Sequence, residues 1–576
     1  MTLHRLIYTV TSDCFDCYKC IRECPVKAIR ISAGRAEVIE ELCIYCGHCV
    51  EVCPSGAKRV RSDIDRAKTI LSLRSRVVLS LAPSFTAFFR DISPQKLINS
   101  CRKLGFHAVS ETAVGADIVS EKTREILAEH VEQESGRLLI SSACPVIVEY
   151  ISRYRPDLLS YVIPVGSPMR AHAEYLKSVF GYDTAVVFAG PCIAKKKEAD
   201  HSGGVVDLAL TFSELGAWME EDVVENYPSK INSNGVSFYP SRSSYGSLYP
   251  VQGGAIRSLE SIGIPDSWVC ESFSGITQIA HALDGLDINS LNIPLFLELL
   301  ACEGGCINGP AFGSCRGSLE RHLKVLSYAE GASKKPIKYA LSLEVKADGD
   351  PYIEPPISDD EIREALRSVG KYTIEDELNC SGCGYDTCRA FAEAMVRRRA
   401  ERSMCVSYMR KLAQKKANAL LKTMPSAAVV VNQELKIVEC NSNFAHLWGT
   451  EIEGMYGVKP GLEGADLRKI VPFWKAFKLV LDEQGPELVE EDFKVGKRII
   501  HGSIFVIERG AVAGGLFQDI TVPWIQRDRI IQQARKVMRD HLRTVQKVAY
   551  LLGENAAEME ATLSSIVESF EGENHG

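Results

Sequence analysis

The tightest constraint on this chain is a pair of identical cysteine runs near its N-terminus. Both read C-x2-C-x2-C-x3-C-P, and they end at Cys24-Pro25 and at Cys53-Pro54. Spacings this short wrap one loop around three corners of an iron–sulfur cube, and the fourth cysteine reaches the other cube. We therefore predict two 4Fe-4S clusters. Site I consists of Cys14, Cys17, Cys20 and Cys53, and site II consists of Cys43, Cys46, Cys49 and Cys24.

A pair of zinc knuckles is the alternative interpretation of these runs. Zinc sites rarely use two identical four-cysteine runs that each end in Cys-Pro. The runs resemble those of bacterial two-cluster ferredoxins. That resemblance implies electron transfer rather than chemistry on a substrate.

Length and composition exclude several classes of protein. A chain of 576 residues is too long for one hydrophobic core. Its net charge of −7 argues against a nucleic-acid partner. It contains no apolar run near the roughly 18 residues that span a bilayer, and its start does not read as a signal peptide, so we expect a cytoplasmic protein without a membrane partner. In such a chain, 20 cysteines at tight local spacings favour metal ligation over disulfides.

The region from 63 to 345 alternates between strand-like and helical segments. The stretches "SRVVLSLAPSF" and "TAVVFAGPC" are β-branched runs that end in Gly, Pro or Ser, and "KTREILAEHVEQE" is amphipathic. This alternation predicts an α/β domain with a parallel sheet. Functional groups in such domains gather beyond the strand ends.

Three cysteine-bearing stretches occur in this region, "SSACPVIVEY", "AGPCIAKKKEAD" and "FLELLACEGGCINGP". Taken singly, each is weak evidence, because a lone cysteine in an apolar segment is more often inert core. The lysine run would ordinarily be a solvated surface. Together, however, the stretches offer four soft thiolates, which suit an iron–sulfur cluster. These four cysteines, Cys144, Cys192, Cys302 and Cys306, are called the active-site thiols below.

In this order, and behind two ferredoxin-type runs, the three stretches resemble the active-site domain of FeFe-hydrogenases. The family motifs are Cys-Cys-Pro, Met-Pro-Cys-x-x-Lys-x-x-Glu and Glu-x-x-x-Cys-x-x-x-Cys. The last two match here at Pro191-Cys192 with Lys195 and Glu198, and at Glu298 before Cys302. The segments "LAPSF" and "VGSPM" also resemble family segments that line the diiron pocket. The resemblance spans roughly residues 1–330.

The resemblance implies an H-cluster. The four active-site thiols would bind a 4Fe-4S cluster, and the Cys306 sulfur would bridge it to a diiron unit carrying CO, cyanide and an azadithiolate. In the family this cofactor splits H2 heterolytically. Lys195 would hydrogen-bond a cyanide ligand, which suits a compact ammonium opposite an anion. We expect Cys306 and Lys195 to be catalytic. The residues expected to contact the cofactor are Pro83, Ser84, Met169, Pro191 and Lys195.

Departures from the family pattern are equally informative. Ala143 stands where catalytic members have the cysteine that passes protons to the dithiolate amine. Gly190, Leu300 and Met169 replace family Met, Met and Gln. Glu121 and Glu125 lie near the sequence positions of the family's proton-relay glutamates, although Lys122 occupies a neighbouring position. Loss of a proton shuttle predicts slow turnover, because such transfer usually contributes about 10²–10⁴-fold.

A second cysteine pattern follows the linker at 346–358. Ser358 and Glu361 form a capping box, so a helix begins there. The pattern C-x2-C-x4-C-x16-C then resembles a small 4Fe-4S domain of anaerobic electron-transfer proteins, with zinc as the alternative. We also predict a helix from about Thr387. The small-domain thiols are Cys380, Cys383, Cys388 and Cys405.

The C-terminal region contains one cysteine, Cys440, and resembles a PAS sensor domain. "SAAVVVNQELKIVECNSNFAHLWG" predicts strand, turn, strand and a helix opened by Asn441 or Ser442, and "IFVIERGAVAGGLFQDIT" predicts two closing strands. From Trp524 onward a heptad-like seam predicts a helix. That helix would form a dimer or dock a partner, or alternatively pack on its own PAS domain. The seam residues are Ile531, Met538, Leu542, Val545, Ala549 and Leu552.

These segments predict a multidomain fold of α/β and α+β class. The predicted domains are a ferredoxin-like two-cluster domain (1–62), an α/β H-cluster domain (63–345), a linker with a small helical 4Fe-4S domain (346–412), a PAS domain (413–523) and a helical tail (524–576). We expect four 4Fe-4S clusters and one diiron unit. The remaining cysteines, Cys101, Cys270, Cys315 and Cys440, are predicted to be structural.

The leading hypothesis is an FeFe-hydrogenase that senses H2. Its partners would be H2, ferredoxin or another electron carrier, a separate kinase or phosphatase, and a second copy of the chain. One alternative is a catalytic ferredoxin-linked hydrogenase. The other is a non-enzymatic Fe-S redox sensor that lacks the diiron subcluster.

Overall fold

The protein divides into two compact units, Met1–Tyr408 and Met409–Gly576. The structure is a computed structural model that describes residues 5–132, 138–225, 237–240, 242–312, 317–331, 344–345 and 349–552. Within these ranges, no helix combines the length and the apolar character that a membrane crossing requires.

The N-terminal region of the first unit has two similar halves. The site I and site II runs each lead into one turn of helix, and a residue of left-handed backbone conformation precedes each turn, Tyr18 (φ 57°) and Gly47 (φ 78°). Two antiparallel strand pairs, β1–β4 and β2–β3, hold the halves together. The elements are β1 (Ile7–Thr9), α1 (Lys19–Arg22), β2 (Ile29–Ser32), β3 (Arg35–Val38), α2 (His48–Glu51) and β4 (Lys58–Val60).

The central region alternates helices and strands, as the sequence predicts. Its strands are β5 (Val77–Leu81), β6 (Ala108–Glu111), β7 (Leu138–Ile140), β8 (Ala185–Gly190), β9 (Leu208–Thr211), β10 (Val269–Ser274) and β11 (Leu295–Leu300). Its helices are α3 (Ile64–Leu73), α4 (Phe85–Phe88), α5 (Pro94–Lys103), α6 (Ala113–Glu132), α7 (Pro145–Tyr154), α8 (Pro168–Phe180), α9 (Ala194–Asp200), α10 (Phe212–Glu225), α11 (Gly254–Ile262), α12 (Ile276–Leu283) and α13 (Ser318–Glu330).

The strands of this region form two parallel sheets rather than one. Their orders are β6-β5-β8-β9 and β10-β11-β7. Every residue of β5 and β8 is buried, which fits continuous apolar runs covered on both faces. The predicted parallel α/β character is therefore confirmed.

The carboxyl ends of four strands from both sheets supply the predicted site. β5 ends one residue before Ala82, and β8 leads directly into Pro191. β7 leads to Ala143, and β11 is followed by Ala301. The rule that functional groups gather beyond the ends of parallel strands thus explains how distant motifs converge.

The small Fe-S domain completes the first unit. Its helix α14 (Asp359–Ser368) begins with the predicted capping box, in which the Glu361 amide donates to Ser358 Oγ at 3.3 Å and the Ser358 amide donates to Glu361 Oε2 at 2.9 Å. Helix α15 (Cys388–Val396) is capped by Thr387, close to the predicted start. Helix α16 (Val406–Thr423) follows directly after Cys405.

The second unit contains one antiparallel sheet of order β13-β12-β16-β15-β14. Asn441 caps its first helix by accepting from the Phe444 amide at 2.9 Å, so this predicted start is confirmed. The two predicted closing strands are β15 and β16. The elements are β12 (Ala427–Asn432), β13 (Ile437–Cys440), α17 (Ser442–Trp448), α18 (Thr450–Val458), α19 (Trp474–Leu481), β14 (Leu488–Val495), β15 (Arg498–Glu508), β16 (Val512–Asp519) and α20 (Thr521–Leu552).

The C-terminal helix α20 begins slightly before the predicted start at Trp524. Of the predicted seam, Ile531, Met538 and Leu542 are half-buried. On the adjoining face, Ile530 and Val537 are 58% and 53% exposed. The remaining seam side chains, those of Val545, Ala549 and Leu552, lie outside the described residues.

Three cysteines without a predicted ligand role lie in ordinary surroundings. Cys101 is fully buried in the large core of the central region, and Cys440 is buried in the core of the second unit. Cys270 is half-buried on β10. Cys315 lies outside the described residues.

Candidate functional site

A cavity that we call the central cavity lies beyond the strand ends. All four active-site thiols are in its wall, as are all five residues expected to contact the cofactor. Cys144 immediately precedes α7, Cys192 lies between β8 and α9, and Cys306 opens a 3-10 turn, Cys306–Asn308. The structure thus brings together motifs that are far apart in sequence. The ligand roles themselves stay predictions.

The active-site thiols are crowded and desolvated. Burial raises the pKa of Cys302 well above its usual value, and the charges of the other three thiols raise it further. Burial likewise raises the pKa of Cys192 to about 11, with Cys144 adding to the shift and Lys195 opposing it. Four thiolates in this cavity therefore need strong positive charge among them, which an iron–sulfur cluster supplies.

Lys195 lies in the cavity wall, and the Glu198 carboxylate balances its charge. Its Nζ donates to Ser167 Oγ at 2.8 Å and to Glu198 Oε2 at 2.7 Å. Ser167 in turn donates to Glu198 Oε1 at 2.5 Å. The Glu198 carboxylate thus forms an ion pair with Lys195 in a nearly buried position.

The other lysines of the run have different environments, contrary to the solvated surface that such runs usually form. Lys196 is completely buried and donates to Asp63 Oδ2 at 2.8 Å and to Glu214 Oε1 at 2.7 Å. Lys197 pairs with Glu149 at 2.6 Å and lies 4.6 Å from the ring centre of Tyr45. The run is therefore an internal connection between domains.

Ser84 provides a test of whether the cavity fits a diiron unit with cyanide ligands. Its hydroxyl is buried in the cavity wall and has no hydrogen-bond partner among the described residues. A buried hydroxyl without a partner is costly, by about 1–3 kcal/mol. A ligand with a hydrogen-bond acceptor at this wall would remove that cost. The residues present therefore fit such a group.

The family departures also lie at this cavity. Ala143 is in the wall, so the cavity lacks the thiol that the family cysteine would place at this position. A Cβ built on Gly190 would lie 2.5 Å from Phe188 Cζ and 3.1 Å from Ala82 Cβ. The Phe188 ring thus fills the space of the family methionine. Sequence reasoning missed Phe188, although its position two residues before Gly190 places both on the same face of β8.

We expect Gly190→Met to destabilise the protein unless Phe188 is shortened. The new side chain would overpack a buried strand, which typically costs about 1–3 kcal/mol. The double variant Gly190→Met, Phe188→Ala should recover most of that loss. Thermal unfolding of both variants and the parent, each with matched iron content, measures the difference; equal losses in both variants would contradict the packing argument.

The glutamates near the family relay do not line the central cavity. Glu121 Oε2 accepts from Arg124 Nε at 3.1 Å, and Glu125 Oε2 accepts from Lys122 Nζ at 3.0 Å. Glu125 is 49% exposed. Both side chains are thus engaged in ion pairs along α6.

The pKa shifts of the ferredoxin-type thiols indicate which of these thiols lie near one another, and their ligand roles stay predictions. Burial raises the pKa of Cys20 to about 11; Lys58 opposes the shift, and the thiols of Cys14, Cys17 and Cys53 add to it. Burial also raises the pKa of Cys49 well above its usual value, and the charges that add to this shift come from Cys46, Cys24 and Cys43. The fourth cysteine of each run therefore lies with the other run.

Site II adjoins the central cavity. Cys46 is in the wall of that cavity, and its charge contributes to the raised pKa of Cys302. A second cleft, the site II cleft, has Cys24, Cys46 and Cys302 among its lining residues. The thiols predicted for site II and the active-site thiols therefore share part of the lining of both cavities.

Three of the small-domain thiols lie together. Burial raises the pKa of Cys383, and the charges of Cys405 and Cys380 add to the shift. Cys388 instead packs with Ile362 and Leu366 between α14 and α15. Its ligand role stays a prediction. In the described part of the chain, no three His, Cys, Asp or Glu residues are arranged around a single metal ion.

Comparisons with known families agree with this arrangement. Residues 75–310 match the iron only hydrogenase large subunit, C-terminal domain, residues 6–54 match a 4Fe-4S dicluster domain, and residues 376–407 match an Fe-S cluster family. The matches support an FeFe-hydrogenase large-subunit region behind a ferredoxin-type dicluster domain.

Individual relatives are distant. Iron hydrogenase 1 of Clostridium pasteurianum is 26% identical over 308 residues, which are 44% of this chain and 53% of that protein. The chain thus spans about half the length of this relative. The nuclear prelamin A recognition factor of Homo sapiens is 23% identical over 48% of this chain and 74% of its own length. A solved FeFe-hydrogenase from Chlamydomonas reinhardtii is 18% identical, with a TM-score of 0.37, over 46% of this chain and 88% of that one.

Proposed function

We propose that this chain, whose residues 75–310 fall in the iron-only hydrogenase large-subunit family, is an FeFe-hydrogenase that senses H2. It would bind H2, oxidise it slowly and reversibly, and signal through its Fe-S clusters and a PAS domain to a separate regulatory protein. The observation that carries the proposal is the wall of the central cavity. It combines four thiols and Lys195 with Ala143, a residue that has no proton to transfer.

In this proposal, the four active-site thiols would hold a 4Fe-4S cluster, and Cys306 would also be among the residues that hold the diiron unit. Lys195 and the free Ser84 hydroxyl are the donors available to cyanide. Pro83, Met169 and Pro191 supply apolar wall, which excludes water. When bound, the H-cluster with its CO, cyanide and azadithiolate ligands supplies the heterolytic splitting of H2.

The residues of the chain favour binding over turnover. Glu198 and Ser167 hold Lys195 in place and charged, so its donor is pre-organised toward an anionic ligand. Ala143 leaves the wall without an acid or base where the family has one. A sensor needs different affinities in two states rather than rapid turnover.

The second unit supplies the signalling part of the proposal. Its five-stranded antiparallel sheet, in which the first strand, β12, pairs with the last strand, β16, at the centre, supports the PAS interpretation. The exposed Ile530 and Val537 on α20 support a homodimer or a docked kinase or phosphatase. Ferredoxin or another carrier would exchange electrons at site I, where Cys17 is exposed. We propose a cytoplasmic location for this protein.

Infrared spectroscopy after maturation with the diiron precursor tests the cofactor assignment. We expect CO and cyanide stretching bands that are absent before maturation. Ser84→Ala should shift the cyanide bands while leaving the CO pattern largely in place, since it removes one donor. A matured protein without these bands would overturn the proposal in favour of the non-enzymatic redox sensor.

Amide hydrogen–deuterium exchange of the matured, full-length chain tests whether the second unit responds to H2. H2, compared with argon, should change amide protection in the sheet of the second unit or in α20. Chain without the diiron unit is the control and should not respond. An identical exchange pattern under both gases in the matured protein would leave a hydrogenase without a sensory role.

A further inference from the structure

Tyr385 in the small Fe-S domain is a buried polar group that the function proposed above does not use. It is 5% exposed, and its hydroxyl has no hydrogen-bond partner among the described residues. It belongs to one apolar core with Cys24, Cys43 and Cys49 of site II and with Cys405 of its own domain. A buried hydroxyl in such a position needs an acceptor that the protein atoms do not provide.

The loop that carries Tyr385 is seated against the ferredoxin-type region. Lys27 Nζ donates to the carbonyl oxygens of Arg22 and Gly384, each at 2.9 Å. Gly384 has φ +93°, and a Cβ there would lie 3.2 Å from the Arg22 backbone nitrogen. Only glycine permits both this backbone conformation and this close approach without strain.

Two further contacts fix the small domain on the same region. The Ile31 amide donates to the Arg399 carbonyl at 3.0 Å, and the Ala33 amide donates to Glu401 Oε1 at 2.9 Å. Asp386, the neighbour of Tyr385, lines the site II cleft together with Cys24 and Cys46. Tyr385 itself shares its buried core with three of the four site II thiols, Cys24, Cys43 and Cys49.

We propose that the Tyr385 hydroxyl donates a hydrogen bond to a sulfur of the site II cluster and raises the reduction potential of that cluster. The small Fe-S domain thereby tunes the cluster that adjoins the central cavity. Hydrogen bonds to cluster sulfurs are a recognised determinant of potential, because they stabilise the more negative, reduced state.

This inference rests on the iron–sulfur part of the proposed function and not on its diiron part. The position of site II gives it a consequence for that function. Cys46 lies both in site II and in the wall of the central cavity. A higher site II potential would favour electron transfer out of the active site. The tyrosine would thereby set how readily electrons from H2 oxidation reduce the Fe-S clusters.

An EPR-monitored redox titration of Tyr385→Phe tests the proposal in full-length chain with its Fe-S clusters reconstituted and without the diiron unit. At the potential that reduces half of the site II cluster in the parent, the reduced fraction in the variant should fall clearly below one half. The site I cluster should titrate as in the parent. Signals are assigned with Cys383→Ser, which removes the small-domain cluster.

Tyr352→Phe is the matched control. Its hydroxyl accepts from Arg399 at 2.7 Å in the same domain, so this variant also loses one tyrosine hydroxyl and should leave the site II titration unchanged. An unchanged site II potential in Tyr385→Phe, or a shift confined to the small-domain cluster, would overturn the proposal. Because no diiron unit is present, neither outcome depends on whether the protein oxidises H2.

Discussion

Ala143→Cys should raise H2 oxidation by about 10²-fold, the lower end of the range that a positioned proton-transfer group provides. The Ala143 side chain lies in the wall of the central cavity, so a thiol there enters the cavity rather than the core. It would supply the proton donor and acceptor that the wall lacks. The gain should stay at the lower end because Glu121 and Glu125 are engaged in ion pairs on α6 and do not continue a path from this wall.

The measurement is turnover with a viologen dye, normalised to the CO band intensity so that only matured protein is compared. Ala143→Ser is the control, since it adds a hydroxyl of similar size whose proton is far less readily released than that of a thiol. It should gain much less than the cysteine variant. Fast turnover in the parent, with no gain in Ala143→Cys, would instead identify the catalytic ferredoxin-linked hydrogenase.

Much of this site was predictable because ligand chemistry imposes short, repeated spacings. The spacing of the ferredoxin-type cysteines predicts their division between sites I and II. In the structure, the charges that shift the pKa values of Cys20 and Cys49 come from thiols assigned to the same site, and the ligand roles stay predictions. The convergence at the central cavity follows from a different rule. Parallel strands carry their carboxyl ends to one edge, so β5, β7, β8 and β11 bring separated motifs together.

Packing around the site was not predictable from the motifs. Phe188 occupies the space above Gly190, a relation visible only once both lie on one face of β8. The partner of Lys196 is Asp63, more than a hundred residues earlier, and no local pattern marks that pair. Tyr385 belongs to a core shared by two domains. Each of these depends on long-range contacts, on which sequence periodicity is silent.

Cys388 shows the opposite case. The cysteine spacing indicates a ligand role that the position of its side chain does not indicate. Spacing groups it with the other small-domain thiols, whereas its side chain packs between α14 and α15. Its backbone amide donates to Asn379 Oδ1 at 2.8 Å, which fixes the start of α15 beside the cysteine loop. The ligand role therefore rests on the spacing and on the match of residues 376–407 to an Fe-S cluster family.

Lys196→Met should be the most destabilising single change near the site, at about 3 kcal/mol. The Lys196 ammonium and the Asp63 carboxylate are both 0% exposed, and the lysine also donates to the Arg61 carbonyl at 2.9 Å. Removing the lysine leaves two carboxylates with less compensation in a desolvated place. Arg66 and Arg61 still contact Asp63, at 2.7 and 3.1 Å, which keeps the loss near the lower end of the range for broken buried pairs.

Apparent Tm at a fixed scan rate measures this loss, because unfolding of a multi-cluster chain is expected to be irreversible. For a domain of about 280 residues, 3 kcal/mol corresponds to a fall of about 5 °C. Lys197→Met is the matched control: its pair with Glu149 is partly exposed, and partly exposed pairs contribute only about 0–1 kcal/mol. Equal Tm values for the two variants would show that the buried network is not what holds α9 against the residues around Asp63.

The same network predicts how stability changes with acid. Burial opposes ionisation of Asp63, but the charge and hydrogen bond of Lys196 outweigh it, and the pKa of Asp63 in the folded protein is lowered. A lowered pKa stabilises the fold above the unfolded-state value of about 3.9 and loses that contribution as pH falls through the folded-state value. The difference in Tm between the parent and Lys196→Met should therefore be full at pH 6–8 and shrink only below about pH 4. A difference that is already lost near pH 6 would assign the stabilisation to another titrating group.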